Sequence, residues 1–211
     1  MRFRTLACGF ALGAATALVS TQVVSQVAED DADRADFMQK WKRFALPGEY
    51  HDRFEHYAGQ WDTTFTMWIE GPDKPPVISK TVVSNKLIFG GRFLETRMRG
   101  TTQMEFNGER IEVPIEGIGY RGYDNFKKKY VQFWIDNGGT GVYYSEGTVD
   151  ESGKVVTYFA TVDEWQSGER DKPCKMVETI VDEDTVTLVM YDLTMPPGKD
   201  RVFEERSTRR K

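Results

Sequence analysis

From Gln60 to the C-terminus the sequence alternates apolar and polar residues in short runs, each closed by a tight-turn signal. The first run shows the pattern: Trp61, Thr63, Phe65, Met67 and Ile69 fall on one face, and Asp62, Thr64, Thr66, Trp68 and Glu70 on the other. A period of two is what a half-buried strand requires. The stretch Glu116–Asp136 repeats it as strand, polar turn at Asp124-Asn125-Phe126-Lys127-Lys128, and strand again. Runs over 77–89, 92–100, 142–149, 154–164, 175–181, 186–193 and 201–208 read as further strands. Residues 101–110 read as a loop or frayed hairpin around Asn107-Gly108, a pair suited to tight hairpin turns. With about ten strands at hairpin spacing and no helical crossover, the pattern predicts an all-β fold: a single antiparallel up-and-down β-barrel. Closure removes the hydrogen-bonding edges that an open sheet would expose. A barrel of this size can enclose a ligand, where a smaller one fills with side chains. A two-sheet sandwich is the alternative.

The N-terminal part obeys other rules. Met1-Arg2-Phe3-Arg4 is basic, residues 6–19 are small and apolar without a charge, and acidic sequence starts at Glu29-Asp30-Asp31. That order predicts a cleaved signal peptide over 1–28, and hence a periplasmic or secreted protein. A membrane anchor would need about 20 predominantly apolar residues, more than this run supplies. Residues 29–46 form an acidic lead-in in which Phe37, Met38, Trp41 and Phe44 recur at helical spacing, predicting a short amphipathic helix. A second helix is expected over Glu49–Ala58, with Tyr50, Phe54 and Tyr57 on one side and Gly59 ending it. Both are expected to act as lids or plugs for a barrel domain spanning 47–211.

Loss of residues 1–28 would remove Arg2 and Arg4, leaving 26 basic residues against 33 acidic ones and a net charge near −7. Nucleic acid and anionic membrane surfaces both call for a basic face, so neither is expected as a partner of the mature domain. Cys8 would leave with the signal, and Cys174 then stands alone without an intrachain disulfide partner. Pairing between two chains, and with it a homodimer, is left open.

At Gly59-Gln60-Trp61 the barrel reading meets a known pattern. A helix followed by Gly-x-Trp at the first strand resembles the calycin superfamily of lipocalins and fatty-acid-binding proteins. The resemblance implies that Trp61 closes one end of the barrel and that a basic residue of the last strand, Arg206, Arg209 or Arg210, covers it. Longer segments are similar to one bacterial family, domain of unknown function 1579. They include Pro47-Gly48-Glu49-Tyr50-His51, Gly90-Gly91-Arg92-Phe93-Leu94-Glu95, Gly122-Tyr123-Asp124-Asn125, Trp134-Ile135-Asp136 and Ser145-Glu146-Gly147-Thr148. That resemblance covers roughly residues 47–211 and implies a calycin-like barrel without implying a reaction; the segment 102–113 lies outside the pattern.

Chemical signatures are sparse. His51 and His56 are five residues apart, whereas a zinc pair on a helix needs a spacing of four, so packing histidines and no metal are expected. No strand carries a histidine, which argues against a histidine-ligated haem inside the barrel, and no cofactor is expected. Gly117-Ile118-Gly119-Tyr120-Arg121-Gly122 has the spacing of a dinucleotide fingerprint, but it runs into a strand and not a helix.

The hairpin 130–149 is the most informative candidate. With a turn at Asn137–Gly141, position 134 would face 144 and 132 would face 146. Gln132, Trp134, Asp136, Tyr144 and Glu146 would then share a face that either meets solvent or lines a cavity. Burying carboxylates without partners is costly, and a slip of one residue would exchange the two faces. The first expectation is a non-catalytic barrel that binds a small, partly apolar or amphipathic molecule through Trp61, Phe65, Trp134, Asp136, Tyr144 and Glu146. The second is an isomerase or hydrolase using Asp136 and Glu146 as an acid/base pair, which requires the two carboxylates to converge. The third is a self-associating protein that pairs through its barrel exterior.

Overall fold

The computed structural model describes residues 31–106 and 109–211; the expected signal peptide lies outside the described residues. The chain divides into two units, Met1–Leu46 and Pro47–Lys211. In the first, residues 31–45 form helix α1, with Phe37, Trp41 and Phe44 exposed and an ion pair between Lys40 and Asp36 one turn apart.

The second unit is helix α2, Glu49–Tyr57, followed by ten strands. These are β1 Gly59–Met67, β2 Val77–Ile88, β3 Phe93–Phe106, β4 Glu109–Asp124, β5 Lys129–Asp136, β6 Tyr143–Val149, β7 Val155–Glu164, β8 Glu169–Asp182, β9 Thr185–Asp192 and β10 Arg201–Arg209. Each strand pairs antiparallel with its sequence neighbours, and β1 pairs with β10, so the sheet closes into a barrel. The expected meander is the observed one. Two elements are longer than their local signals: β8 begins at Glu169, and β3 and β4 stay paired from Phe93↔Gly122 out to Phe106↔Glu109. Residues 101–110 therefore belong to an extended hairpin. The Gly-x-Gly run at 117–119 lies inside β4.

One end of the barrel is sealed by α2. His51, Phe54 and Tyr57 are its buried residues, and Tyr50 instead stacks on Tyr123 at 4.4 Å while staying partly exposed. Burial lowers the pKa of His51, which keeps Nδ1 free to accept from the Gly48 N–H at 3.1 Å. A nine-residue helix is too short to persist alone, so its existence depends on docking. Phe54, Tyr57, Trp61, Val83, Leu94, Tyr130, Val156 and Tyr158 form the floor cluster.

Trp61 is 1% exposed and donates from Nε1 to the Tyr57 carbonyl at 2.8 Å. Asn85 donates to the same carbonyl at 3.0 Å and accepts from Thr96. These bonds satisfy an end-of-helix carbonyl that the helix itself cannot. Of the three arginines, Arg209 covers the indole, its guanidinium 4.3 Å from the ring centroid. It also donates to the Ala58 carbonyl at 2.9 Å and the His56 carbonyl at 2.6 Å. Arg210 pairs with Asp62, and Arg206 is exposed. Arg209→Ala should strip two carbonyls and the indole of their cover. A loss of about 2–3 kcal/mol is expected from the charged hydrogen bonds and the cation–π contact. Urea denaturation followed by tryptophan fluorescence measures it, and an unchanged midpoint would show that Arg209 does not hold the seal.

Candidate functional site: a hollow barrel with a charged floor

The ladder register decides which side chains point inward, and those above the floor are not packed solid. Phe65, Met67, Trp134, Leu188, Met190 and Phe203 all face the barrel axis by register, yet each is only partly buried. In a closed sheet, an inward side chain that water can still reach lines a hollow. Phe65 and Phe203 lie together on one wall, ring centroids 5.4 Å apart. Trp134 lies flat against β4, where a Cβ at position 119 would come 2.6 Å from the indole, and one at position 117 closer still. The two glycines are the seat of the ring. At the open end, among the described loops and strand tips, Ile69, Met104, Ile111, Val142, Trp165 and Leu193 are exposed. They are interspersed with exposed charges, among them Glu70, Arg110, Glu112, Glu169 and Arg170.

Beneath the hollow stands a cluster of charges. Glu178, on the inner face of β8 and 3% exposed, accepts from the Tyr57 hydroxyl at 2.5 Å and from Arg121 Nη1 at 2.5 Å. Arg53, from α2, reaches it at 3.4 Å and donates to the carbonyls of Gly153 and Lys154. Burial pulls the Arg121 pKa down, but Glu178 beside it more than compensates, so the guanidinium stays charged. Burial also pushes the Tyr57 hydroxyl well up, with Glu178 adding to the effect, so it remains a donor. Every element of this floor is locked to another.

Glu205 is the exception. It faces inward on β10 between Phe65 of β1 and Leu188 of β9, both uncharged. It accepts one hydrogen bond, from Ser207 Oγ at 2.9 Å, and among the described residues makes no ion pair. Among the described residues its second oxygen has no hydrogen-bond partner, and the residue is only partly buried. Burial raises its pKa above the ordinary value; Arg121 and the Ser207 hydroxyl oppose the rise and Glu178 adds to it.

The sequence-derived candidates separate. Trp61 forms the floor and shows no open surface. Phe65 and Trp134 line the hollow. Asp136 is inward by register at the open end, with its carboxylate accepting from Trp134 Nε1 at 2.7 Å and from the Gly138 N–H at 2.9 Å. Tyr144 and Glu146 lie outside. The observed pairs are Trp134↔Tyr143 and Gln132↔Ser145, one residue away from the expected register. Glu146 sits on the exterior between Lys127 and Lys129, with the Tyr144 hydroxyl donating at 2.9 Å. These partners, Lys127 first, hold its pKa at about 2. Asp136 and Glu146 thus occupy opposite faces, and the acid/base pair expected of them does not form. Cys174 is buried on the inner side of β8 and burial raises its pKa, so it is closed to pairing with a second chain.

Arg53, Arg121, Glu178 and Glu205 went unmarked in the sequence. A signal was present: Cys174, Met176, Glu178 and Ile180 alternate in phase, placing a carboxylate on the apolar face of a strand.

A closed antiparallel meander whose first strand opens on a buried tryptophan, covered by an arginine of the last strand, is a barrel of the calycin type. The chain belongs to the family described as protein of unknown function (DUF1579), whose model matches residues 46–210, the segment 102–113 included. Among solved structures it is similar to Rv2717c from M. tuberculosis, at 12% identity and a TM-score of 0.50, over 79% of this chain and 100% of that one. It is also similar to the S-type phycobiliprotein lyase CPES from Guillardia theta, at 11% identity and a TM-score of 0.45, over 80% of this chain and 96% of that one. No curated protein matches the chain.

Glu205 supplies a direct test of the site's electrostatics. Because its folded pKa is raised, the folded protein binds the proton more tightly than the unfolded chain. The resulting stability is present below the ordinary carboxyl value and is lost as pH rises through the raised one. Glu205→Gln cannot ionise, so it should raise Tm by a few degrees at about pH 7.5 and leave it nearly unchanged at about pH 4. Calorimetry at the two pH values checks this, and a parent-like Tm at the higher pH would mean that the carboxylate is fully solvated.

Proposed function

We propose that this protein is a binding barrel that holds one small, partly apolar molecule in its interior. The observation that carries the reading is the partial accessibility of inward-facing apolar side chains in a sheet that has no open edge. Apolar walls with a few convergent polar groups are the usual form of small-molecule sites, and Glu205 and Gln132 supply such groups here. Exposed apolar side chains at the mouth, such as Ile69 and Met104, suit the passage of a partly apolar guest. Export is part of the proposal, on the strength of residues 1–28, and the N-terminal sequence of the protein recovered from its host tests that part.

Uptake of an uncharged solvatochromic dye such as Nile red tests the interior. A saturable rise in fluorescence at one dye per chain is expected. Ala160 faces inward, opposite Ser145 and Cys174, and Ala160→Trp should fill the hollow and abolish the rise while leaving the circular dichroism spectrum intact. Uptake that survives the substitution would place the dye on the exterior and sink the reading.

A second reading rests on the outer surface. Tyr120, Phe133 and Tyr144 are register neighbours on the outside of β4, β5 and β6, and Phe159 continues the band from β7, opposite Glu146. Tyr120, Tyr144 and Phe159 are exposed. Of the charges around them, Arg97 is paired with Glu95 and Lys127 and Lys129 with Glu146, while Lys175, opposite Phe159, lies over the Tyr191 ring. A band whose charges are mostly paired suits a second copy of the same surface better than a strongly charged partner. Sedimentation velocity should then show a dimer that Phe159→Lys dissociates; a parent protein that is monomeric at all concentrations rules the dimer out.

A further inference from the structure

The interior's own charges set the class of guest that the proposed binding site can accept, and this inference rests on that reading. The charged side chains around the lower hollow balance: Arg53 and Arg121 against Glu178 and Glu205. Arg121 is held at 2.5 Å by Glu178, which also accepts from Arg53 and Tyr57. Nearer the open end, Lys172 is held at 2.8 Å by Asp192, and Asp136 is bonded to Trp134. Among the described residues, a carboxylate ligand entering this space finds no inward cation without a carboxylate partner and would have to break an existing ion pair. An ammonium ligand would find Glu205, but would add a positive charge beside two guanidiniums in a site of low dielectric, where uncompensated charge is expensive.

Arg53 Nε, Thr81 Oγ1 and Ser145 Oγ lack partners but are sealed within the packing, so the open valence that a guest could meet is that of Glu205. The second oxygen of Glu205 is an acceptor facing the hollow, and an ionised carboxylate has only acceptor capacity. The wall beside it is rich in hydroxyls that bond one another. Thr63 and Ser207 lie 2.7 Å apart, Ser79 donates to Thr102 at 2.5 Å, and Thr81 Oγ1 is buried without a partner. These residues sit on β10, β1, β2 and β3, while Met176, Leu188 and Met190 of β8 and β9 face the same space. On this side the hydroxyls are buried in the packing and Glu205 is the polar group at their edge, while the opposite wall is lined with methionine, whose flexible thioether adapts to varied shapes.

We propose that the barrel selects a neutral amphiphile whose O–H or N–H group donates to Glu205 while its apolar body lies against the methionine-lined wall. The donor satisfies the open oxygen without changing the charge of the interior. Glu205 is then the specificity-determining residue of the site, and Arg121–Glu178 is the fixed pair that denies it to anions.

Competition against bound Nile red tests this with three probes of equal chain length: 1-decanol, decanoate and decylamine. The alcohol should displace the dye at the lowest concentration. Glu205→Leu should weaken the alcohol about tenfold relative to the variant's own affinity for the dye, as expected for loss of a hydrogen bond to a charged acceptor. Glu205→Gln, which keeps an acceptor oxygen, should retain most of the alcohol's affinity. If decylamine or decanoate displaces the dye as well as the alcohol does, or if Glu205→Leu leaves the order of the probes unaltered, the selectivity is wrong while the binding reading stands. If the parent takes up no dye at all, both fall together.

Discussion

A single carboxylate, Glu178, ties the closed end of this barrel together. It comes from β8, and its donors come from α2 and β4: the Tyr57 hydroxyl and Arg53 from the helix, Arg121 from the opposite wall. A buried ion cluster of this sort is not a cheap source of stability, since the desolvation of each charge consumes most of the attraction. Its value lies in direction. Apolar contacts by Phe54 and Tyr57 would hold α2 against the opening in several orientations, whereas the three donors to Glu178 are met in one. Removing the carboxylate would leave two guanidiniums facing each other inside the sheet. The seal, the position of the helix and the charge state of the floor are therefore one arrangement.

The hollow above follows from what the floor already supplies. The floor cluster provides a contiguous apolar core, so the upper strands need not fill the interior in order to fold. They also carry small residues on their inner faces: Gly117 and Gly119 make room for Trp134, and Gly147 makes room for the ring of Tyr158. A large ring pressed against the wall takes up less of the axis than one projecting across it. Space that side chains could have occupied is left open, and ten strands make the circumference wide enough for that space to matter.

Much of the fold was legible because its signals are local. The alternation from Gln60 onward, the turn residues between strands, and Gly59-Gln60-Trp61 each sit within a few residues of the element they define. What escaped notice depends on distant contacts. The β5–β6 loop carries three glycines and does not fix its own centre. Its register is set from β4, where Asn137 bonds the Glu116 N–H and the Pro114 carbonyl. Local spacing holds no trace of those bonds, so it predicts a hairpin one residue out of step, in which Tyr144 and Glu146 exchange faces with Tyr143 and Ser145. The charged floor was hidden for the same reason. Glu178 lies 57 residues from Arg121 and 125 from Arg53, and their pairing exists only once the sheet has closed.

Three inward carboxylates on the last strands show what the fold can do with such a group. Glu178 receives three donors. Asp192 on β9, although burial opposes its ionisation, is held below its ordinary pKa by Lys172 and by the backbone and hydroxyl of Thr194. Glu205 on β10, two positions from the seal at Ser207 and Arg209, receives one neutral hydroxyl. The chain evidently can satisfy a carboxylate at this depth, with partners drawn from adjacent strands or from across the barrel. A position left unsatisfied costs stability at neutral pH, and a glutamine or methionine would remove that cost without disturbing the ladder. Perturbed titratable groups that the scaffold leaves unpaired concentrate where a protein meets its ligand. The missing partner of Glu205 is then best sought outside the chain, in a guest that supplies the donor the barrel withholds.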